Sequence, residues 1–202
     1  VSESCKRLNR SSLYGIMLHR PEVLLSGFGM LIADELKELK AKHIISKIGI
    51  SIYDPSILNE IFKIIEIDII QVPFNVFDQR ILASGWAREF NNSGTEVYTR
   101  SAFLQGILML PKEKLPRFFF ENWPSLFNSW FEFLQKNGSD PLNTALSFVL
   151  MQPWINKVVV GVDSAAQLDA IAKVEKSGSV ESFLSLSCDD ENLIDPSKWK
   201  LK

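Results

Sequence analysis

Five times along this chain a short apolar run gives way to a longer segment with helical spacing, and that alternation restricts the fold more than any other feature. Leu13–Leu18 reads as a short buried strand, being too brief and too tolerant of β structure for a helix. In MLIADELKELKAK (30–42), Ile32, Leu36 and Leu39 recur at the spacing of one helix face. HIISKIGIS (43–51) reads as a strand, and Pro55 to Ile65 as a helix with Pro55 suited to its first turn. DIIQVPFN (68–75) is a strand ended by Pro73. Ile81 to Phe90 is a helix stopped by NNSG, and Thr95–Thr99 is the next strand. A long section of helix and loop follows, from Ser101 to about Gln152. KVVVGV (157–162) is then the fifth strand and Ser164–Lys176 its helix, with Ser164 at the N-cap.

Strands alternating with helices imply parallel βαβ units joined by right-handed crossovers. Two architectures satisfy this, a doubly wound five-stranded sheet and most of a (β/α)8 barrel. The chain has 202 residues, 46% of them hydrophobic, with mean hydropathy +0.05, enough for one large or two small domains. Lys plus Arg is 22 against 24 for Asp plus Glu, so no basic surplus exists to neutralise a phosphate backbone, which counts against nucleic acid as the main partner. Cys5 and Cys188 lie near opposite ends without CxxC or Cys/His spacing. That argues against a metal site or disulfide framework and for a reducing compartment. No signal peptide or bilayer-spanning run is visible. Residues 1–9, VSESCKRLN, read as the end of an amphipathic helix with Cys5 and Leu8 on one face. The final SCDDENLIDPSKWKLK reads as polar and loop-like, with Asp189, Asp190 and Glu191 solvated and Trp199 pinning the segment.

Each strand presents polar residues at its C-terminal end, where α/β folds place their chemistry. These are His19 and Arg20, Ser51 and Tyr53, Gln71 and Asn75, then Arg100, Ser101 and Gln105, and finally Gly161, Asp163 and Ser164. Any one of them alone reads equally well as an ordinary loop-edge residue; gathered on one rim they imply a binding site. In VVVGVDSAAQL a strand runs through Gly161 into a helix whose first N–H groups point outward, a place suited to a phosphate. His43 lies at the opposite end of its strand and is expected to be structural. Trp123, Phe127, Trp130 and Phe131 recur at helical spacing, which favours packing over ligand contact.

SSLYGIMLHRPE, KIGISIYDP, DIIQVPFNVFDQR, TEVYTRSAFLQGIL and ALSFVLMQPWINKVVVGVDSAAQL resemble, in order and spacing, segments of the aldo-keto reductases. The resemblance runs from the helix before barrel strand four to strand eight and its helix. It implies a (β/α)8 TIM barrel, of which about five C-terminal βα units are present, as one domain over residues 1–202. The implied reaction is hydride transfer from NADPH to a small aldehyde or ketone, in the cytoplasm, with His19 polarising the carbonyl oxygen. Ser51 and Gln71 match positions that bind the nicotinamide carboxamide, although Ile52 stands where an Asn is usual. Arg100 stands where an aromatic ring often stacks on the nicotinamide, and a guanidinium plane can also stack. Ser101 and Gln105 lie in the segment that runs beneath the pyrophosphate. Gly161, Ser164 and Gln167 match contacts to the adenosine phosphates. The nearest lysine beyond them, Lys173, lies well along the helix, so NADH stays open beside NADPH. The family's proton-donor Tyr, with its Lys and Asp, comes from the first three barrel strands, which would lie before Val1; Tyr14, Tyr53 and Tyr98 do not match the donor's motif. The expectation is therefore a longer reductase of which this chain is an inactive part. A truncated chain that binds nucleotide or a partner without catalysis, and an unrelated α/β binding domain, remain as alternatives. Oligomeric state cannot be read from the residues.

Overall fold

In the computed structural model, which describes residues 1–177 and 180–199, the alternation becomes one sheet flanked by helices. The elements run α1 (Ser2–Arg7), β1 (Leu13–Leu18), α2 (Gly29–Ala41), β2 (Ile45–Ser51), α3 (Leu58–Ile64), β3 (Ile69–Pro73), α4 (Arg80–Ala83) and α5 (Trp86–Ser93). They continue with β4 (Glu96–Arg100), α6 (Arg117–Asn122), α7 (Pro124–Asn137), α8 (Pro141–Leu150), β5 (Lys157–Val158), α9 (Ala165–Ala172) and α10 (Glu191–Ile194). All strands are parallel and their order in space is their order in sequence, β1-β2-β3-β4-β5. A doubly wound sheet reverses its strand order at a switch point. This one never does, so it forms part of a (β/α)8 barrel wall.

Side chains alternate across a strand, and here the two sets meet opposite surroundings. Ile48, Ile50, Ile70, Val72 and Val97 are buried in one core with Leu36 of α2, Leu58 and Ile61 of α3, and Phe127 and Trp130 of α7. On the inner face a Cβ added to Gly49 would come within 2.5 Å of Met17 Cγ, which places these register partners side by side. Phe127 and Trp130 are fully buried, each edge-on to Phe77, while Trp123 and Phe131 pack half-buried against them, the packing role their spacing implies.

Several elements depart from the sequence reading. The helix expected over 81–90 is two helices, α4 and α5, because Gly85 adopts φ 82° between them and a left-handed residue cannot continue a right-handed helix. The helix expected from Pro55 begins as a 3-10 turn, Pro55–Ile57, capped by Asp54 accepting from the Ser56 N–H at 2.8 Å. The fifth strand, expected over 157–162, is only Lys157–Val158. Its partner β4 ends at Arg100 and turns left-handed at Ser101 (φ 63°), so no ladder remains for residues 160–162. His43 sits at φ 56° in the reversal between α2 and β2, the structural role expected of it. α1 buries no residue, and Leu8, expected on its apolar face, is 62% exposed.

The C-terminal segment is far from loop-like up to Trp199; its last three residues lie outside those described. Within it α10 buries Leu193 and Ile194, and just before it a 3-10 stretch, Val180–Leu186, buries Phe183 and Leu186. The Cys188 N–H donates to the Phe77 carbonyl at 2.8 Å. Asp190, expected to be a solvated charge, caps α10 by accepting from the Asn192 N–H at 3.0 Å and receives the Trp123 indole N–H at 2.9 Å. Those donors hold its carboxyl below the usual carboxylate range. Asp189 and Glu191 are exposed, as expected of solvated charges, and Glu191 pairs at the surface with Lys198. Trp199 does pin the tail, donating to the Leu193 carbonyl at 2.9 Å with its ring edge-on to Phe119 at 4.8 Å.

Candidate functional site

The C-terminal strand ends surround a cleft of about 740 Å³. His19 follows β1 and stands exposed on its wall, with no hydrogen-bond partner among the described residues. Ser51 closes β2 and is in register with Gln71 of β3, so both face the same side. The Ser51 hydroxyl donates to Gln71 Oε1 at 3.2 Å, which leaves the Gln71 amide N–H groups and the serine lone pairs free. Arg100 ends β4 and, among the described residues, supplies the one guanidinium or ammonium group on the lining.

The loop after β4 is built from left-handed residues: Ser101 (φ 63°), Leu104 (φ 46°), Gln105 (φ 54°) and Gly106 (φ 85°). Each non-glycine among them is strained, and the loop holds because its carbonyls are satisfied locally. The Leu104 N–H donates to Ser101 O at 2.9 Å, and the Ile107 N–H to Leu104 O at 3.1 Å. From behind, Asn75 Nδ2 donates to Ser101 O at 3.1 Å, while Asn75 Oδ1 accepts from the N–H groups of Phe77 and Asp78. Asn75 therefore does not belong to the binding rim where the sequence put it. It is fully buried and fastens the loop that carries Ser101 and Gln105.

Beyond β5 the chain passes Gly161, where an added Cβ would meet nothing within 4 Å, so the cleft is open at that backbone. Ser164 takes the N-cap of α9 and accepts from the Gln167 N–H at 3.2 Å. Gln167 Oε1 in turn accepts from the Asp163 N–H at 2.7 Å. Of the nine residues singled out from the sequence, His19, Ser51, Gln71, Arg100, Ser101, Gln105, Gly161 and Gln167 line this cleft, and Ser164 does not. The sequence reading missed the apolar wall, formed by Phe103, Met109, Leu142 and Ile171. Apolar residues on separate helices and loops carry no local signal that they will meet.

The opposite end of the inner face holds a second polar cluster. Glu96 of β4 accepts from Tyr14 and Lys47 and, at 2.8 Å, from Tyr98. Lys157 donates to the Tyr98 hydroxyl at 3.0 Å. Lys47 foremost, then the two phenols, holds the Glu96 carboxyl down to about 2. Both phenols are thus engaged with Glu96, away from the cleft. The period-2 alternation of EVYTR was the available sign that Glu96 and Tyr98 share a face with Arg100. Among the described residues no cluster of His, Cys, Asp and Glu could hold a metal, and no helix is long and apolar enough to cross a membrane.

The cleft's donor set fits a nicotinamide dinucleotide: a serine–glutamine pair with spare amide functions, a flat cation, and an open glycine before a helix N-terminus. Among solved structures the chain is similar to aldo-keto reductase AKR11C1 from Bacillus halodurans, with TM-score 0.69 and 18% identity, covering 93% of this chain and 65% of that one. It is also similar to the glycerol dehydrogenase AKR11B4 from Gluconobacter oxydans, with TM-score 0.64 and 20% identity over 90% of this chain and 59% of the other. The chain thus spans less than two thirds of the length of these structures, and at such identities the likeness speaks for the fold alone. A search of curated proteins finds no match. The sequence profile described as the Aldo/keto reductase family matches residues 1–182, and on that match, with the barrel wall and its rim in place, the chain belongs to the aldo-keto reductases.

Proposed function

We propose that residues 1–202 form one domain of an oxidoreductase that reduces an aldehyde or ketone to the alcohol at the expense of NADPH, with NADH as the alternative donor. One observation carries this reading: eight residues delivered by all five strand ends meet in a single cleft whose free groups suit an amide, a flat ring and a phosphate. Bound there, the dinucleotide would supply the hydride. Ser51 and Gln71 would offer an acceptor and donors to its carboxamide, and Arg100 a plane against its ring. Ser101, Gln105, Gly161 and Gln167 would follow its phosphates, with Ser164 setting the helix end they approach.

His19, without a hydrogen-bond partner among the described residues, would donate a hydrogen bond to a carbonyl oxygen and stabilise the negative charge growing there. The alkoxide then needs a proton. Tyr14 and Tyr98 are committed to Glu96, and Tyr53, whose ring lies against Arg100, does not match the donor's motif, so residues 1–202 alone are expected to bind the cofactor without turnover. The substrate class is a small carbonyl compound, the compartment the cytoplasm, and neither nucleic acid nor membrane is a partner. The test is titration of NADPH into the purified protein, read by quenching of tryptophan fluorescence, followed by carbonyl-dependent NADPH oxidation. Saturable binding is the expected result, and its absence would overturn the reading. Binding without oxidation in a protein that includes the family's other strands would favour a nucleotide-binding role in place of catalysis.

A further inference from the structure

Tyr53 stands on the lining of the cleft, two residues beyond β2 and 40% exposed, and its hydroxyl has no hydrogen-bond partner among the described residues. It neither fills the core nor spends its polar end. What its ring does touch is Arg100, whose guanidinium carbon lies 4.1 Å from the ring centroid, well inside cation–π range. The same guanidinium donates through Nη2 to the Ile52 carbonyl at 3.2 Å and through Nη1 to the Ser101 hydroxyl at 3.5 Å. Residues 52 and 53 therefore hold a side chain that belongs to a strand two places away in the sheet. An arginine at a cleft wall is otherwise among the most mobile of side chains. Here Tyr53 packs against the guanidinium, so a flat ligand would approach it from the side that Tyr53 leaves open.

We propose that Tyr53 is a positioning residue that fixes the plane of Arg100 so that a flat ring, the dihydronicotinamide of NADPH, stacks on the guanidinium. This inference rests on the cofactor reading above. Holding Arg100 before the ligand arrives removes the ordering cost from the binding step. The anchor at residue 52 is its backbone carbonyl, which does not depend on the Ile52 side chain.

The test compares the unaltered protein with Tyr53→Leu, which removes the ring face, and Tyr53→Phe, which removes only a hydroxyl without a partner. Two ligands separate positioning from general damage: NADPH, and 2′-phospho-ADP-ribose, which keeps the adenosine phosphates but has no nicotinamide. In Tyr53→Leu the Kd for NADPH is expected to rise about tenfold while that for 2′-phospho-ADP-ribose stays the same, and Tyr53→Phe is expected to bind both like the unaltered protein. Without ligand, the Arg100 Nε–H order parameter is expected to fall in Tyr53→Leu only. Equal NADPH affinity in Tyr53→Leu, or equal weakening of both ligands, would overturn the role of Tyr53 and leave the cofactor reading intact. If the unaltered protein binds neither ligand, the cofactor reading falls and takes this inference with it.

Discussion

On β2, Ile50 is fully buried against the helices, whereas Ser51, one residue further, lines the cleft. The outer face of the sheet repeats that choice with Ile48, Ile70, Val72 and Val97, so burial drives its assembly at roughly 25 cal/mol per Å² of apolar surface. The inner face repeats the other choice and then divides it. At the N-terminal strand ends Tyr14, Lys47, Glu96, Tyr98 and Lys157 satisfy one another; at the C-terminal ends, among the described residues, His19 has no partner and Gln71 keeps its amide N–H groups free. Polar groups that consume each other's donors are part of the scaffold. Those left with spare capacity on the same surface are where a ligand can be recognised.

The sharpest way to break this contrast is at its outer side. Ile50→Ala removes buried apolar volume at the centre of the sheet and is expected to cost about 3 kcal/mol, read as a lower urea midpoint. A loss under ~1 kcal/mol would mean the outer face is not the main source of stability. Glu96→Gln tests the inner floor, where the Lys47–Glu96 pair is only partly shielded, and is expected to cost about 1 kcal/mol, shrinking as salt is added. Its pH signature is distinct. With the folded-state carboxyl at about 2 against an ordinary 4.5, Glu96 contributes stability above the ordinary value, and that contribution is lost as pH falls from there through about 2. Urea midpoints between pH 2 and 6 are therefore expected to fall less steeply toward acid in Glu96→Gln than in the unaltered protein. Smallest in stability is Gln71→Ala on the rim, expected within about 0.5 kcal/mol. It is expected to weaken NADPH about tenfold in the fluorescence titration, and an unchanged Kd would remove Gln71 from the site.

Much of this was legible in the residues. Ile48, Ile50 and Ile52 alternate with smaller or polar partners, so the strand and its buried face followed from periodicity, and Ser164 announced a helix start by its chemistry. Parallel pairing and the rim followed from the alternation of elements, which fits two strand orders; the barrel order came with the family resemblance. What escaped was set by long-range partners. The tail looked polar because Asp189, Asp190 and Glu191 dominate its composition, yet Leu193 and Ile194 carry its burial and Asp190 works as a cap. Asn75 looked like a rim ligand because only its distance from Ser101, 26 positions on, shows it to be a fastener. The fifth strand looked longer because nothing in VVVGV reports where its neighbour stops.

The left-handed loop after β4 also leaves a mark on how this chain can change. Ser101, Leu104 and Gln105 hold positive φ, and a β-branched residue at any of them would meet a backbone it cannot adopt. Random mutation explores most surface loops freely, but here a path through valine, isoleucine or threonine is closed. Drift at these three positions is channelled toward glycine, asparagine and aspartate, so the loop would change its chemistry without losing its shape.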